Sequence, residues 1–331
     1  MGRKDKQRRT AGATSKSERR VTSRAGDEWT VPRWLPAALY GLLTFVLFRE
    51  FIFSDLMLFG SDTLFGGGYV ARELYAEALA SGGGVPGWAP HYLGGTPFLE
   101  ALTGGDSLYP PSLLLLLITE PYRALGWKLI LHVFLAGLFM FGWIRAIGGS
   151  RTAALFAGAA YLLAPFFIGF IQPGHDGKIF VITLAPLLFW AVERHFQKPA
   201  PHTVAAIGLV ITGIIYTTHF QMAYFLFGGV GLFGIFRAIQ VARNADPHTT
   251  VASAPADEAE TAKPRGMPRA GALRFGLFLM ASILGATGAA YQLFPAADYV
   301  TEYSRRVQTT DENAGETGRA WSSSYSMHPE E

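Results

Sequence analysis

Apolar residues fall in long blocks along this chain, separated by short polar turns. A helix that crosses a bilayer needs about 20 mostly apolar residues. Seven blocks meet or approach that length: 34–53, 126–147, 152–171, 178–195, 203–218, 221–240 and 273–293. The pattern predicts an all-α polytopic membrane protein with about seven transmembrane helices. An eighth apolar run, Ser112 to Ile118, is too short to cross. It follows Tyr109-Pro110-Pro111, and proline suits the first turn of a helix. A short helix resting at the interface is expected there. Between Tyr69 and Ala80 the apolar residues Val70, Leu74, Ala78 and Leu79 share one side, with Arg72, Glu73 and Glu77 elsewhere. That suits a helix lying on the membrane surface, and equally a surface helix packed on the bundle.

Charge orients these spans. Met1 to Arg33 is rich in Lys, Arg, Ser, Thr and Gly and has almost nothing to bury; it reads as a disordered basic tail. Basic arms also bind nucleic acid. Here the arm directly precedes the first apolar span, where basic residues hold a flank in the cytoplasm, and no nucleic-acid partner is expected. The first block is long and runs on into Phe51-Ile52-Phe53-Ser54-Asp55, which predicts an uncleaved helix rather than a secretory signal. With the tail inside, the 34–240 bundle has one long external loop, 54–125, carrying Asp55, Asp62, Glu73, Glu77, Glu100 and Asp106. The inner turns then carry Arg145 and Arg151, and Arg194, His195 and Lys198. A flexible cytoplasmic linker, 241–272, holds Arg243, Lys263, Arg265 and Arg269, and 294–331 forms an external C-terminal segment. Counting the 112–118 run as a span would invert every later loop and put the basic ones outside.

Composition narrows the chemistry. Of 331 residues, 50% are hydrophobic and 16% are charged, against about a quarter charged in soluble domains. The absence of cysteine excludes disulfides, thiol nucleophiles and thiolate metal sites. No phosphate-binding P-loop, Gly-x-Ser-x-Gly elbow, His-Glu-x-x-His helix or dinucleotide fingerprint is present.

The topology brings three polar features to one side. The external loop contains Gly60-Ser61-Asp62, Trp88-Ala89-Pro90, Gly94-Gly95-Thr96-Pro97-Phe98 and Gly104-Gly105-Asp106. Long loops in compact membrane proteins are usually functional. The turn Gly174-His175-Asp176-Gly177-Lys178 places three ionisable groups at the mouth of the bundle; a solvated turn accounts for the same residues. The turn Thr217-Thr218-His219-Phe220-Gln221 adds polar groups within apolar flanks, where a satisfied structural histidine is the competing account. A carboxylate-rich loop above a bundle suggests chemistry on a lipid-linked substrate. One aspartate would act as general base on an acceptor hydroxyl. A histidine, a lysine or a divalent cation would neutralise a phosphate leaving group. No cofactor is assigned, and no ligand set is specific enough to name a metal. Beyond the last span, Asp298 and Glu302 lie four residues apart on one helix face; a solvated helix end is the favoured reading.

In order and spacing, these motifs resemble the N-terminal part of the bacterial YfhO family, membrane proteins of the GT-C glycosyltransferase architecture. Tyr109-Pro110-Pro111, Ala185-Pro186-Leu187, His219-Phe220-Gln221 and Tyr325-Ser326-Met327-His328-Pro329-Glu330 complete the likeness, which covers about 34–331 without the linker. The resemblance implies a transferase in the bacterial cytoplasmic membrane with a polyisoprenyl-phosphate-linked sugar as donor and a cell-envelope glycan or polymer as acceptor. It implies an acidic catalytic residue in the first external loop, best matched by Asp62, with Asp55 second. On charge and position we assign Asp106, His175, Asp176, Lys178, His219 and Gln221 to the substrate side. Family members are longer, with more spans and an external domain, so the expectation is a portion of a longer or split protein. Two alternatives stay open: a non-catalytic scaffold, and a transporter or flippase of lipid-linked glycans. Transport would call for charge at the bilayer midplane. Arg49 and Glu50 lie toward the outer end of the first span, and the mid-span regions read as poor in charge.

Overall fold

A computed structural model of the chain describes residues 31–58, 60–65, 68–244 and 267–303. In chain order the helices are α1 (Leu35–Ile52), α2 (Ser61–Phe65), α3 (Gly68–Ala80), α4 (Pro110–Ile118), α5 (Pro121–Ala146), α6 (Arg151–Leu162) and α7 (Pro165–Ile171). They continue with α8 (Asp176–Gln197), α9 (Pro201–Tyr216), α10 (Phe220–Asn244), α11 (Met267–Gly288) and α12 (Ala290–Glu302). Two short strands, β1 (Trp88–Ala89) and β2 (Thr96–Pro97), pair antiparallel with Trp88 opposite Pro97, and a 3-10 turn spans Gly105–Leu108.

Proline sets several helix starts. Pro36, Pro110, Pro121, Pro165 and Pro201 each stand in a first turn, where the missing amide breaks no helical bond. The same property divides the apolar block 151–171 into α6 and α7, because Pro165 cannot donate back into the preceding turn. Ser150 caps α6 by accepting from the Ala153 amide at 3.1 Å.

Among the described residues, six helical segments are long and apolar enough to cross a membrane, Arg151–Ile171 counting as one. The chain is thus an all-α, multi-pass membrane protein in its architecture. α8 is the central helix: its apolar window is 67% buried against 11% for α10. It packs on α5, α9 and α10, while α5 also meets α1 and α6, and α11 pairs with α9 and α10. Ile179, Phe180, Leu188 and Phe196 of α8 are fully buried at the heart of the core. By contrast Leu42 and Val46 of α1, Leu232 and Phe236 of α10 and Ile283 and Leu284 of α11 are exposed, an apolar surface that hydrocarbon covers and water does not.

The predicted span at 203–218 keeps its length and begins two residues earlier. It is α9, a helix of 16 residues and shorter than the other spanning helices. Pro201 fixes its start and the Thr217-Thr218 turn its end. Both ends of the predicted linker are helical, since α10 runs to Asn244 and α11 begins at Met267, and residues 245–266 lie outside the described residues. The last predicted span is split, with α11 ending at Gly288 and α12 starting at Ala290. The tail up to residue 30 and residues 304–331 lie outside the described residues.

The 54–125 segment folds as a layer over one end of the bundle. Ala71, Tyr75, Ala89, Phe98, Leu116 and Ala124 form its own small core. Gln292 of α12 donates to the Leu99 carbonyl at 3.2 Å and ties α12 to this layer. α3 turns Ala71, Arg72 and Tyr75 inward, so its buried face is rotated from the Val70–Leu74–Ala78 stripe. The reason lies in the partners of Arg72, described below.

Tyr40 of α1 is fully buried and donates to the Leu155 carbonyl at 3.0 Å. It fits because Gly137 of α5 and Gly158 of α6 have no side chains there. A Cβ at Gly158 would collide with the Tyr40 ring and with the Gly137 carbonyl, whereas one at Gly169 meets nothing within 4 Å. Gly158→Ala is expected to destabilise the detergent-solubilised protein by about 1–3 kcal/mol through overpacking, and Gly169→Ala to be near neutral; thermal melts of the two variants check this.

Candidate functional site

Two short motifs far apart in sequence are stitched together by the backbone. The Asp62 amide donates to the Pro173 carbonyl at 2.8 Å, and the Thr63 hydroxyl donates to the Gly174 carbonyl at 3.2 Å. A Cβ on Gly60 would strike the Gly174 backbone, one on Gly174 would strike Thr63, and Gly174 holds a φ of +89°. Glycine is required on both counts. Gly60-Ser61-Asp62 and Gly174-His175-Asp176-Gly177-Lys178 thus form one surface.

On that surface His175 Nε2 lies 2.7 Å from Asp62 Oδ2, and Lys178 Nζ lies 2.9 Å from His175 Nδ1. An ammonium can only donate, so Nδ1 accepts and Nε2 carries the proton that is donated to Asp62. The Asp62 side chain remains 58% exposed. It is a carboxylate held in direction by His175 on Oδ2, while Oδ1 accepts a longer bond from the Ser61 hydroxyl at 3.4 Å and the group stays open to solvent.

Beneath it sits a buried cluster of four charges. Asp106 of the 3-10 turn accepts from Lys128 Nζ of α5 at 2.9 and 2.8 Å, and from Arg72 of α3 and Ser112 of α4. Asp176, the first residue of α8, accepts from Arg72 at 3.0 Å and from Lys128 at 2.8 Å. Arg72, Lys128 and Asp106 are almost wholly enclosed. Two carboxylates and two cations alternate, so each charge removed from water finds a partner of opposite sign. Burial alone would raise the Asp106 carboxyl, but the Arg72 guanidinium and the Lys128 ammonium overcome it and hold the group well below the usual carboxylate range.

A further buried layer supports Lys128. The His132 ring donates from Nδ1 to the Lys128 carbonyl at 2.6 Å, leaving Nε2 to accept from the Tyr109 hydroxyl at 2.9 Å. Phe180 packs against both rings and under the Lys128 ammonium, 5.0 Å from its ring centre.

A cavity of about 260 Å³ opens between the exposed pair and the buried cluster. Asp62, Asp106, His175, Asp176 and His219 all line it, and Lys178 joins through His175. Asp55 and Gln221 are exposed and do not line it. Burial holds the His219 imidazole below its ordinary value. Its Nδ1 accepts from the Met222 amide at 3.3 Å, capping the start of α10. Thr218 beside it has a φ of +58°, a conformation β-branched residues rarely adopt.

Two cations of the cluster are unmarked by the sequence pattern. Lys128 is the third residue of the apolar block 126–147, and Glu193 and Arg237, paired at 2.8 Å between α8 and α10, stand near the ends of theirs. The signal was present, since an ionisable residue within a transmembrane block is a functional candidate by default. Arg72 had no such signal: among the charged positions of α3 only its tertiary partners set it apart.

Among the described residues no three His, Asp or Glu side chains are grouped to hold a metal ion. Asp106 and Asp176, the two carboxylates that share their cations, are already engaged with Arg72 and Lys128, so this donor pair does not fit a divalent cation. No protein-family model, curated protein or solved structure matches the chain.

Breaking the cluster tests its weight. Lys128→Met is expected to cost on the order of 3–5 kcal/mol, because two buried carboxylates would share one cation. Asp106 also predicts a pH dependence. Its folded-state pKa lies below the ordinary value of 3.8, so its contribution is complete above that value and is lost as pH falls toward the folded-state one. The stability gap between wild type and Asp106→Asn, read from melts across a pH series, should narrow below about pH 4 and hold constant above it.

Proposed function

We propose that the chain is a membrane glycosyltransferase that moves a sugar from a polyisoprenyl-phosphate donor to a hydroxyl of a cell-envelope acceptor. The observation that carries the reading is the Asp62–His175–Lys178 chain at the mouth of a polar cavity, at one end of a bundle of apolar helices. An exposed carboxylate oriented by a neutral imidazole is suited to take a proton from an attacking hydroxyl. In the step proposed, the acceptor hydroxyl gives its proton to Asp62 and its oxygen bonds to the anomeric carbon. The bond from that carbon to the phosphate oxygen breaks, and the electron pair leaves with the polyisoprenyl phosphate.

His175 and Lys178 hold Asp62 and put one positive charge beside the departing phosphate. The role proposed for the buried cluster is positioning: Asp176 anchors the start of α8, and with it the turn that presents His175. The exposed Asp62 is chosen over Asp55 as base because Asp55 does not line the cavity. The long-helix count of six and the short α9 together support a seven-span topology, with the 54–125 layer on the outer face and the basic tail inside. The whole protein's sugar and acceptor belong to this same proposal.

Asp62→Asn is expected to lower transfer by at least about a hundredfold, as loss of a general base does, while the exposed position keeps expression and melting temperature unchanged. Asp55→Asn should transfer at the wild-type rate. Membranes containing each variant, supplied with radiolabelled polyisoprenyl-phosphate sugar, provide the measurement; normal transfer by Asp62→Asn would overturn the assignment.

A further inference from the structure

The opposite end of the bundle carries a second, chemically different cavity. It is about 910 Å³ in volume and lies where α5 ends, α6 begins and α8 ends. Arg33, Arg145, Arg151 and Arg194 line it, with no acidic residue among its walls. Among the described residues, none of the hydrogen bonds of Arg145, Arg151 and Arg194 goes to a carboxylate. Arg145 donates to the Gly149 carbonyl, Arg151 to the Val31 carbonyl at 2.9 Å and Arg194 to the Gln197 side-chain oxygen at 3.3 Å. All three acceptors are neutral. The nearby carboxylate, Glu193, is taken by Arg237 and Gln197, both at 2.8 Å.

The remaining wall is apolar. Phe139 and Trp190 line it together with Leu138 and Phe141. The Trp190 ring lies against Gly142, where a Cβ would collide with it. Four guanidiniums at one edge and aromatic walls leading toward the apolar helix surface match an amphiphilic anion. Guanidiniums pair with phosphate oxygens through two parallel hydrogen bonds. The apolar wall offers nothing to a free inorganic anion but would cover the first part of an acyl chain. The tail up to Arg33 carries ten Lys or Arg against four Asp or Glu, so this end of the molecule as a whole favours an anionic leaflet.

We propose that this cavity binds the phosphate headgroup of an anionic phospholipid, with its acyl chains along the Phe139 and Trp190 wall. The inference does not depend on the transferase reading, and its test reads lipid binding, not transfer.

The full chain, purified in mild detergent, is titrated with dioleoylphosphatidylglycerol or dioleoylphosphatidylcholine, and retained lipid is counted by native mass spectrometry. Wild type is expected to retain phosphatidylglycerol in preference to phosphatidylcholine. Arg145→Gln combined with Arg194→Gln should weaken that binding about thirtyfold, since each basic residue near a headgroup contributes on the order of a factor of five. The double Lys variant should fall between wild type and the double Gln variant, since it keeps the charges and loses the paired guanidinium hydrogen bonds. Arg151 is left intact because it also holds the Val31 carbonyl. The tail is common to all variants, so a difference between them reports the cavity. If the double Gln variant fails to fold, Arg194→Gln alone serves, with about fivefold weakening expected. Equal retention of phosphatidylglycerol by wild type and a folded Gln variant would overturn the proposal, as would equal retention of the two lipids. Displacement of the lipid by equimolar inorganic phosphate would reassign the cavity to a free anion and overturn it as well.

Discussion

The fold at the polar end of this molecule depends on four charges that have left water together. Arg72, Asp106, Lys128 and Asp176 come from four different elements: α3, the 3-10 turn, α5 and the start of α8. Removing an ion from water costs several kcal/mol even after relaxation, so none of the four elements can shift alone without stranding a charge. The cluster therefore fixes how the 54–125 layer sits on the bundle. It also fixes a functional coordinate, because Asp176 is bonded within the cluster while its neighbour His175 touches Asp62. Orientation of the exposed carboxylate is thus inherited from a network in which Arg72, Asp106 and Lys128 are shut away from solvent and Asp176 is partly open to it.

The two ends of α5 and α8 present opposite electrostatic designs. At their N-terminal ends positive and negative groups are paired and internally balanced. At their C-terminal ends Arg145 and Arg194 face a cavity with no carboxylate on its walls. Lys128 and Arg145 are separated by seventeen residues of one helix, about 25 Å of rise. Between them lie apolar side chains and the buried His132, which is satisfied by Tyr109 and by the Lys128 carbonyl. The one described polar side-chain atom of this stretch of α5 that is buried without a hydrogen-bond partner is Trp143 Nε1, close to the Arg145 end.

Much of this arrangement was legible in the residues. Hydropathy placed α1 within a residue of its ends, and the Tyr109-Pro110-Pro111 signal marked α4. Motif chemistry singled out Asp62, Asp106, His175, Asp176 and His219, which line one cavity. What escaped was whatever depends on distant partners. Arg72 looked like one more polar residue of an amphipathic stretch, because nothing local says that Asp106 and Asp176 will meet it. Lys128 vanished into the average of an apolar window, although an intramembrane lysine carries its own warning. Averaging also concealed the break at Pro165, since a window of apolar residues does not register where a helix starts and stops.

The shortness of α9 has a consequence for where the polar cavity lies. Sixteen residues of α9 rise about 24 Å, against a hydrocarbon thickness of about 30 Å. With its basic-side end at the level of its neighbours, α9 leaves the Thr217–His219 turn several ångströms beneath the opposite surface. A helix this short is accommodated by drawing water or headgroups inward at its end, a local thinning of the bilayer. Thr217, Thr218 and His219 line the cavity, so the cavity opens at the short end of α9. A ligand tethered by a long isoprenoid chain would enter sideways from the membrane plane, and its tail would never have to leave the oil.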